Sequence, residues 1–253
     1  MERHRPAVTA LTGLVVIVIV VAAAFYLTIP MVATSSSTTN PVSTSPSVTG
    51  ASTTSGPSTG TLTISTKQPL MVAPTAGESV ALKLTAIGTV SGNYTLSASS
   101  LPKGITAAFQ PSSIVLPDQI SNPVTMTLSA ASGAAVGNST ITVQAASGSS
   151  VFTSQLSLAS VSALVLIQGN AFVPSSLTVP AGTKVYWLNL DAAGGGDVNA
   201  VGHDVTALDG SFSSGNGNLH QYDIFSSTFT APGTFKYKSA AQPSMTGQIV
   251  VTG

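Results

Sequence analysis

The chain has 253 residues, of which 43% are apolar and only 6% charged, with eight basic side chains balancing eight acidic ones. Ordinary soluble proteins carry about 25% charged residues, so the polar surface here must come from Ser, Thr, Asn and Gln. The lack of a basic stripe argues against a nucleic-acid partner, and the lack of cysteine excludes disulfides, thiolate metal ligands, a cysteine nucleophile and a lipid-modified Cys anchor.

A surface with few carboxylates changes its charge little as pH falls, which suits an acid-exposed or glycan-coated exterior. From Ala7 to Ile29 no residue is charged, and the heart of the run is Leu14-Val15-Val16-Ile17-Val18-Ile19-Val20-Val21. A helix of that length rises about 35 Å, enough to cross a hydrocarbon core of about 30 Å. Arg3 and Arg5 precede the run and few basic residues follow it, which places the N-terminus in the cytoplasm and the remainder outside. A cleaved signal peptide is the competing reading. The run is long for one, and Met31-Val32-Ala33 is a poor cleavage site. A pilin-like helix packed in a surface filament is a third reading. Residues 1–33 are therefore expected to form a transmembrane anchor.

Residues 34–60 are almost wholly Ser, Thr, Gly, Pro and Ala. Such a composition cannot bury enough apolar area to offset ordering entropy, and it predicts a flexible stalk.

Residues 61–160 predict a β-sandwich. Thr61-Leu62-Thr63-Ile64, Val80-Ala81-Leu82-Lys83-Leu84-Thr85, Val124-Thr125-Met126-Thr127-Leu128 and Ser139-Thr140-Ile141-Thr142-Val143 all alternate between polar and apolar. The run from Leu101 to Ser113 resembles the strand–turn–strand of immunoglobulin-like repeats on microbial surface proteins. That resemblance implies a spacer or adhesion module. Lys67, Glu78, Lys83, Lys103 and Asp118 are scattered, form no catalytic constellation, and read as solvated surface. Two N-x-T sequons, Asn93-Tyr94-Thr95 and Asn138-Ser139-Thr140, make Asn93 and Asn138 candidate glycosylation sites.

Residues 163–253 carry the most specific pattern. Leu164-Val165-Leu166-Ile167 opens a strand, followed by Phe172-Val173-Pro174 and Leu177-Thr178-Val179-Pro180-Ala181-Gly182. Then come Lys184-Val185-Tyr186-Trp187-Leu188-Asn189, Gly202-His203-Asp204-Val205, Phe229-Thr230-Ala231-Pro232-Gly233-Thr234-Phe235-Lys236-Tyr237-Lys238-Ser239 and Gln242-Pro243-Ser244-Met245-Thr246-Gly247-Gln248-Ile249-Val250-Val251. This order resembles the plastocyanin-type cupredoxins segment by segment, across the whole domain. The expected fold class is therefore all-β, with an immunoglobulin-like sandwich and then a cupredoxin-like Greek key behind the transmembrane helix.

The resemblance also implies a site. The family holds copper with two His nitrogens, a Cys thiolate and a weak axial Met. Matched by position, His203 stands at the first His and Met245 at the Met. Ser239 stands at the Cys and Gln242 at the second His, so two of four ligands are replaced. Asn189 matches the Asn that braces the ligand loops. A serine hydroxyl cannot substitute for a thiolate, and His203 with Met245 alone would make a weak copper site. The cofactor expectation is none, with Ser239 and Gln242 hydrogen-bonding across the vacated site. His220 matches no ligand and lies in an exposed turn that a folded-back loop could bring near His203. A Ser239–His203 pair could form, yet no nucleophile elbow or oxyanion hole accompanies it, so no enzyme activity is expected. The glycine-rich run from Asp191 to Gly202 is a candidate docking loop.

These readings converge on a membrane-anchored, extracytoplasmic accessory or docking protein whose partner is another envelope or membrane-complex protein. One alternative is a copper-less component like subunit II of haem–copper oxidases. Others are a copper-binding or electron-transfer protein with altered ligation, and a filament subunit.

Overall fold

A computed structural model describes residues 59–118, 120–192, 202–217 and 219–253. The expected anchor, nearly all of the stalk and most of the glycine-rich run before His203 lie outside these residues. The described chain is all-β. It has no helix, and so none long and apolar enough to cross a membrane.

Residues 61–160 supply β1 (Thr61–Ser65), β2 (Leu70–Val72), β3 (Glu78–Ile87), β4 (Gly92–Ser99), β5 (Ile105–Gln110), β6 (Ser113–Leu116), β7 (Val124–Ala130), β8 (Gly137–Ser147) and β9 (Ser150–Ser160). They form a four-stranded sheet in the order β1-β3-β7-β5 and a five-stranded sheet in the order β2-β9-β8-β4-β6. The alternation in the sequence becomes the two faces of each strand. On β8, for example, Ile141, Val143 and Ala145 are buried, while the residues between them face outward. The inward rows of both sheets meet in one core that includes Ile64, Val80, Leu82, Tyr94, Ile114, Met126, Ile141 and Leu156.

Glu78 departs from its expected place at the solvated surface: it is fully buried. The reason is parity. Glu78 lies on the same side of β3 as Val80, Leu82 and Leu84, so the pleat turns it inward with them. Its carboxyl accepts hydrogen bonds from Gln68 Nε2 and from the backbone N–H of Met71, both at 2.6 Å. Burial outweighs these two donors and pushes its pKa from 4.5 up to about 7.

Residues 163–252 supply β10 (Ala163–Ile167), β11 (Phe172–Val173), β12 (Ser176–Pro180), β13 (Thr183–Asn189), β14 (Thr206–Ala207), β15 (Ile224–Phe229), β16 (Gly233–Lys238) and β17 (Thr246–Thr252). One sheet runs β11-β10-β13-β15 and the other β12-β17-β16-β14. The pairs β10–β13 and β12–β17 are parallel, and the remaining pairs are antiparallel. The core is aromatic. Trp187 lies at its centre, with the rings of Phe212, Phe225 and Tyr237 each within 6 Å of it between centroids.

The uninterrupted apolar run of β10 has a structural cause, because both of its faces are covered. Ala163, Val165 and Ile167 enter the aromatic core. Leu164 and Leu166 pack with Met71, Ala73, Ala76, Val161 and Leu188 in a separate apolar cluster. Thr75 closes the edge of that cluster: its hydroxyl accepts from Leu164 N–H at 3.1 Å and donates to Leu164 C=O at 3.2 Å.

Candidate functional site

The candidate site lies on segments that leave β13 and β16, and each is positioned by a polar side chain. Asn189, the last residue of β13, is buried. Its Nδ2 donates to Leu219 C=O at 2.9 Å, and its Oδ1 accepts from Asp191 N–H at 3.0 Å. One side chain thus fastens the outgoing turn to the segment carrying Leu219 and His220. The backbone adds to this tie, with Tyr222 N–H donating to Asn189 C=O and Asn189 N–H to Asp223 C=O.

His203 pairs with Leu219 through backbone bonds in both directions, at 3.0 and 2.9 Å. Gly202 is needed for this approach, since a Cβ there would fall against the Leu219 carbonyl. The imidazole is mostly covered, and its Nε2 lies 3.2 Å from Asp191 Oδ2. The same Asp191 carboxylate accepts the N–H groups of Gly169 at 2.7 Å and Asn170 at 2.8 Å, which fixes its position. A carboxylate held this way favours the tautomer with the proton on Nε2 and leaves Nδ1 as the acceptor nitrogen.

Asp204, the next residue, is fully buried. Its Oδ1 accepts from Ser239 Oγ at 2.9 Å and Ala241 N–H at 2.9 Å, and its Oδ2 from Ala240 N–H at 3.0 Å and Thr206 Oγ1 at 2.7 Å. Burial alone would raise its pKa. The four donors together outweigh burial and hold the carboxyl below the ordinary carboxylate range. Asp204 thus clamps the start of the loop that follows β16.

That loop is also closed on itself. Gln242 N–H donates to Ser239 Oγ at 3.2 Å, Met245 N–H to Gln242 C=O at 2.9 Å, and Ser239 N–H to Met245 C=O at 3.1 Å. Met245 is buried in the aromatic core. Ser239 and Gln242, expected to hydrogen-bond across the vacated site, make two contacts here. The Ser239 hydroxyl donates to Asp204, and Gln242 reaches it through its backbone N–H. Nor does Ser239 pair with His203, whose ring is held by Asp191.

His220 is exposed, with Nδ1 3.3 Å from Asp223 Oδ2. It neighbours Leu219, the backbone partner of His203. The structure therefore joins Ser239, Gln242 and Met245 on one loop, ties that loop to the His203 segment through Asp204, and ties His203 to the β13 turn through Asp191. Neither aspartate stands out by spacing. Their signal was scarcity, since a chain with eight acidic residues places two of them around one histidine.

A copper site of the cupredoxin kind needs a thiolate and two imidazoles converging with the Met sulfur. The donor set here does not fit it. No thiolate exists, and a serine hydroxyl bound to a carboxylate takes its place. Among the described residues, no three of His, Asp, Glu or Cys gather closely enough to hold a metal ion.

No family model matches the chain, and no curated protein matches it. Solved structures do resemble part of it. A purple cupredoxin from Nitrosopumilus maritimus matches 36% of this chain and 99% of its own length at 25% identity, with a TM-score of 0.30. A reduced amicyanin variant matches 36% of this chain and 81% of its own at 26% identity and a TM-score of 0.30. A reduced copper(I) form of another amicyanin variant does so at 27% identity and the same TM-score.

Proposed function

We propose that this chain is a membrane-anchored, extracytoplasmic protein whose C-terminal head is a cupredoxin-type sandwich without a blue-copper site, serving as a non-redox accessory or docking module of the cell envelope. One observation carries the reading: Ser239, at the position matched to the thiolate, donates its hydroxyl to the buried Asp204 carboxylate. A metal-binding loop keeps its donor atoms free for the metal. Here the Ser239 hydroxyl and the N–H groups of Ala240, Ala241 and Gln242 are bound within the chain itself, which shapes the loop without a metal. The first sandwich has no catalytic constellation and acts as a spacer.

The rival reading is a copper-less component of a respiratory complex similar to subunit II of haem–copper oxidases. Isolation of the chain from its own membranes in mild detergent, followed by haem absorption of the isolated material, separates the two. Haem-free material supports the accessory role. Haem in stoichiometric amount overturns it in favour of the respiratory reading.

A further inference from the structure

The five-stranded sheet of the first sandwich has an unusual outer face. Its strands β2, β9, β8, β4 and β6 contain no charged residue. Outward positions are filled by groups such as Thr95, Ser97, Thr142, Gln144, Thr153 and Gln155. Both sequons lie on this sheet. The register that pairs Thr95 with Ala146 places Asn93 and Thr95 on the same side as Asn138 and Thr140. All four side chains are exposed, whereas the middle residues turn inward: Tyr94 is buried, and the Ser139 hydroxyl has no solvent access. An extended N-x-T thus presents amide and hydroxyl on one side, because side chains alternate along a strand. Along β8, Asn138 and the end that neighbours Asn93 are about 30 Å apart at about 3.3 Å per residue. The two sequons sit toward opposite ends of one uncharged face.

We propose that Asn93 and Asn138 carry N-linked glycans that cover this face. The inference rests on the extracytoplasmic placement proposed above. In the reaction, the asparagine amide nitrogen bonds to the anomeric carbon of a lipid-phosphate-linked oligosaccharide. The glycosyl–phosphate bond breaks, the lipid phosphate leaves with the electron pair, and the proton lost by the amide nitrogen ends on that phosphate. The sugar hydrates a surface that lacks the charge repulsion by which uncoated proteins resist association. A glycan on an outward residue of either strand also needs no rearrangement of the core.

The test is peptide mass spectrometry of the full chain isolated from its own cells, with and without enzymatic removal of N-glycans. In parallel, intact cells are labelled with a membrane-impermeant amine reagent that reads exposed Lys67, Lys83 and Lys103. The expected result is glycan on both asparagines, loss of one glycan in Asn93→Gln or Thr95→Val and of the other in Asn138→Gln, and self-association of the double Gln variant on size-exclusion chromatography. Unmodified Asn93 and Asn138 in a chain whose lysines are labelled overturn the inference and leave the topology standing. Unmodified asparagines with unlabelled lysines overturn both.

Discussion

Replacing Glu78 with Gln tests whether the first sandwich carries a built-in preference for acid. Glu78 is fully buried, and its pKa is pushed from 4.5 to about 7. The strands bonded to it, β7 by pairing and β2 through Met71, contain no titratable side chain, and Lys67 in the turn before β2 is exposed. Among the described residues no cation forms an ion pair with it. Between pH 4.5 and about 7 the folded state holds a proton that the unfolded chain has lost, so stability falls as pH rises through this window. The shift corresponds to about 3 kcal/mol, fully present below pH 4.5 and gone above about pH 7. Glu78→Gln removes the charge while keeping an acceptor for Met71 N–H. The variant should match the parent at pH 4.5 and exceed it by about 2 to 3 kcal/mol near pH 8. Urea unfolding followed by far-UV circular dichroism measures this. Trp187, the only tryptophan, reports the second sandwich separately and should shift less. Parallel pH profiles for parent and variant would refute the argument.

Asp204 carries the opposite dependence. Its pKa is lowered, so its contribution is fully present above the ordinary carboxylate value and is lost as pH falls from there through the lower folded-state value. Asp204→Ala leaves Ser239 Oγ and two loop N–H groups without their acceptor and should cost about 2 to 4 kcal/mol, read by Trp187 fluorescence in urea. Tyr237→Phe should behave differently. The Tyr237 hydroxyl is buried and faces the Trp187 side chain, a contact too loose to count as a well-formed hydrogen bond, so its removal should change stability by no more than about 1 kcal/mol in the same assay. A large loss there would mean that the Trp187 contact is a strong hydrogen bond. Ser239→Cys with Gln242→His restores the matched copper ligands, but the Asp204 carboxylate stands 2.9 Å from the atom that the sulfur replaces. Like charge opposes thiolate formation. An intense visible thiolate–copper band should therefore require Asp204→Asn as well, and an equal band without it would contradict the role assigned to Asp204.

Much of the fold was legible because strands write a period of two into the sequence. β3, β7 and β8 follow that alternation closely. The same rule, read only for apolar residues, missed Glu78, whose parity matches Val80 although its chemistry does not. The site was legible as far as ligand positions could be matched: His203, Ser239, Gln242 and Met245 were named from the resemblance. Their hydrogen-bond partners were not, because Asp191 and Asp204 act across turns whose geometry has no sequence period. Asn189 was expected to brace the ligand loops. It fastens the Leu219 segment, while Asp204 fastens the loop of Ser239. The two-sided burial of β10 was visible only as an apolar run, since its second face meets residues about 90 positions earlier in the chain.

The most direct test of the central claim is the copper content of the chain after copper loading and desalting, measured beside His203→Ala with circular dichroism as a check on folding. The account predicts folded protein free of stoichiometric copper in both. One copper per chain in the parent, lost in His203→Ala, would contradict it and return His203 and Met245 to the role of metal ligands.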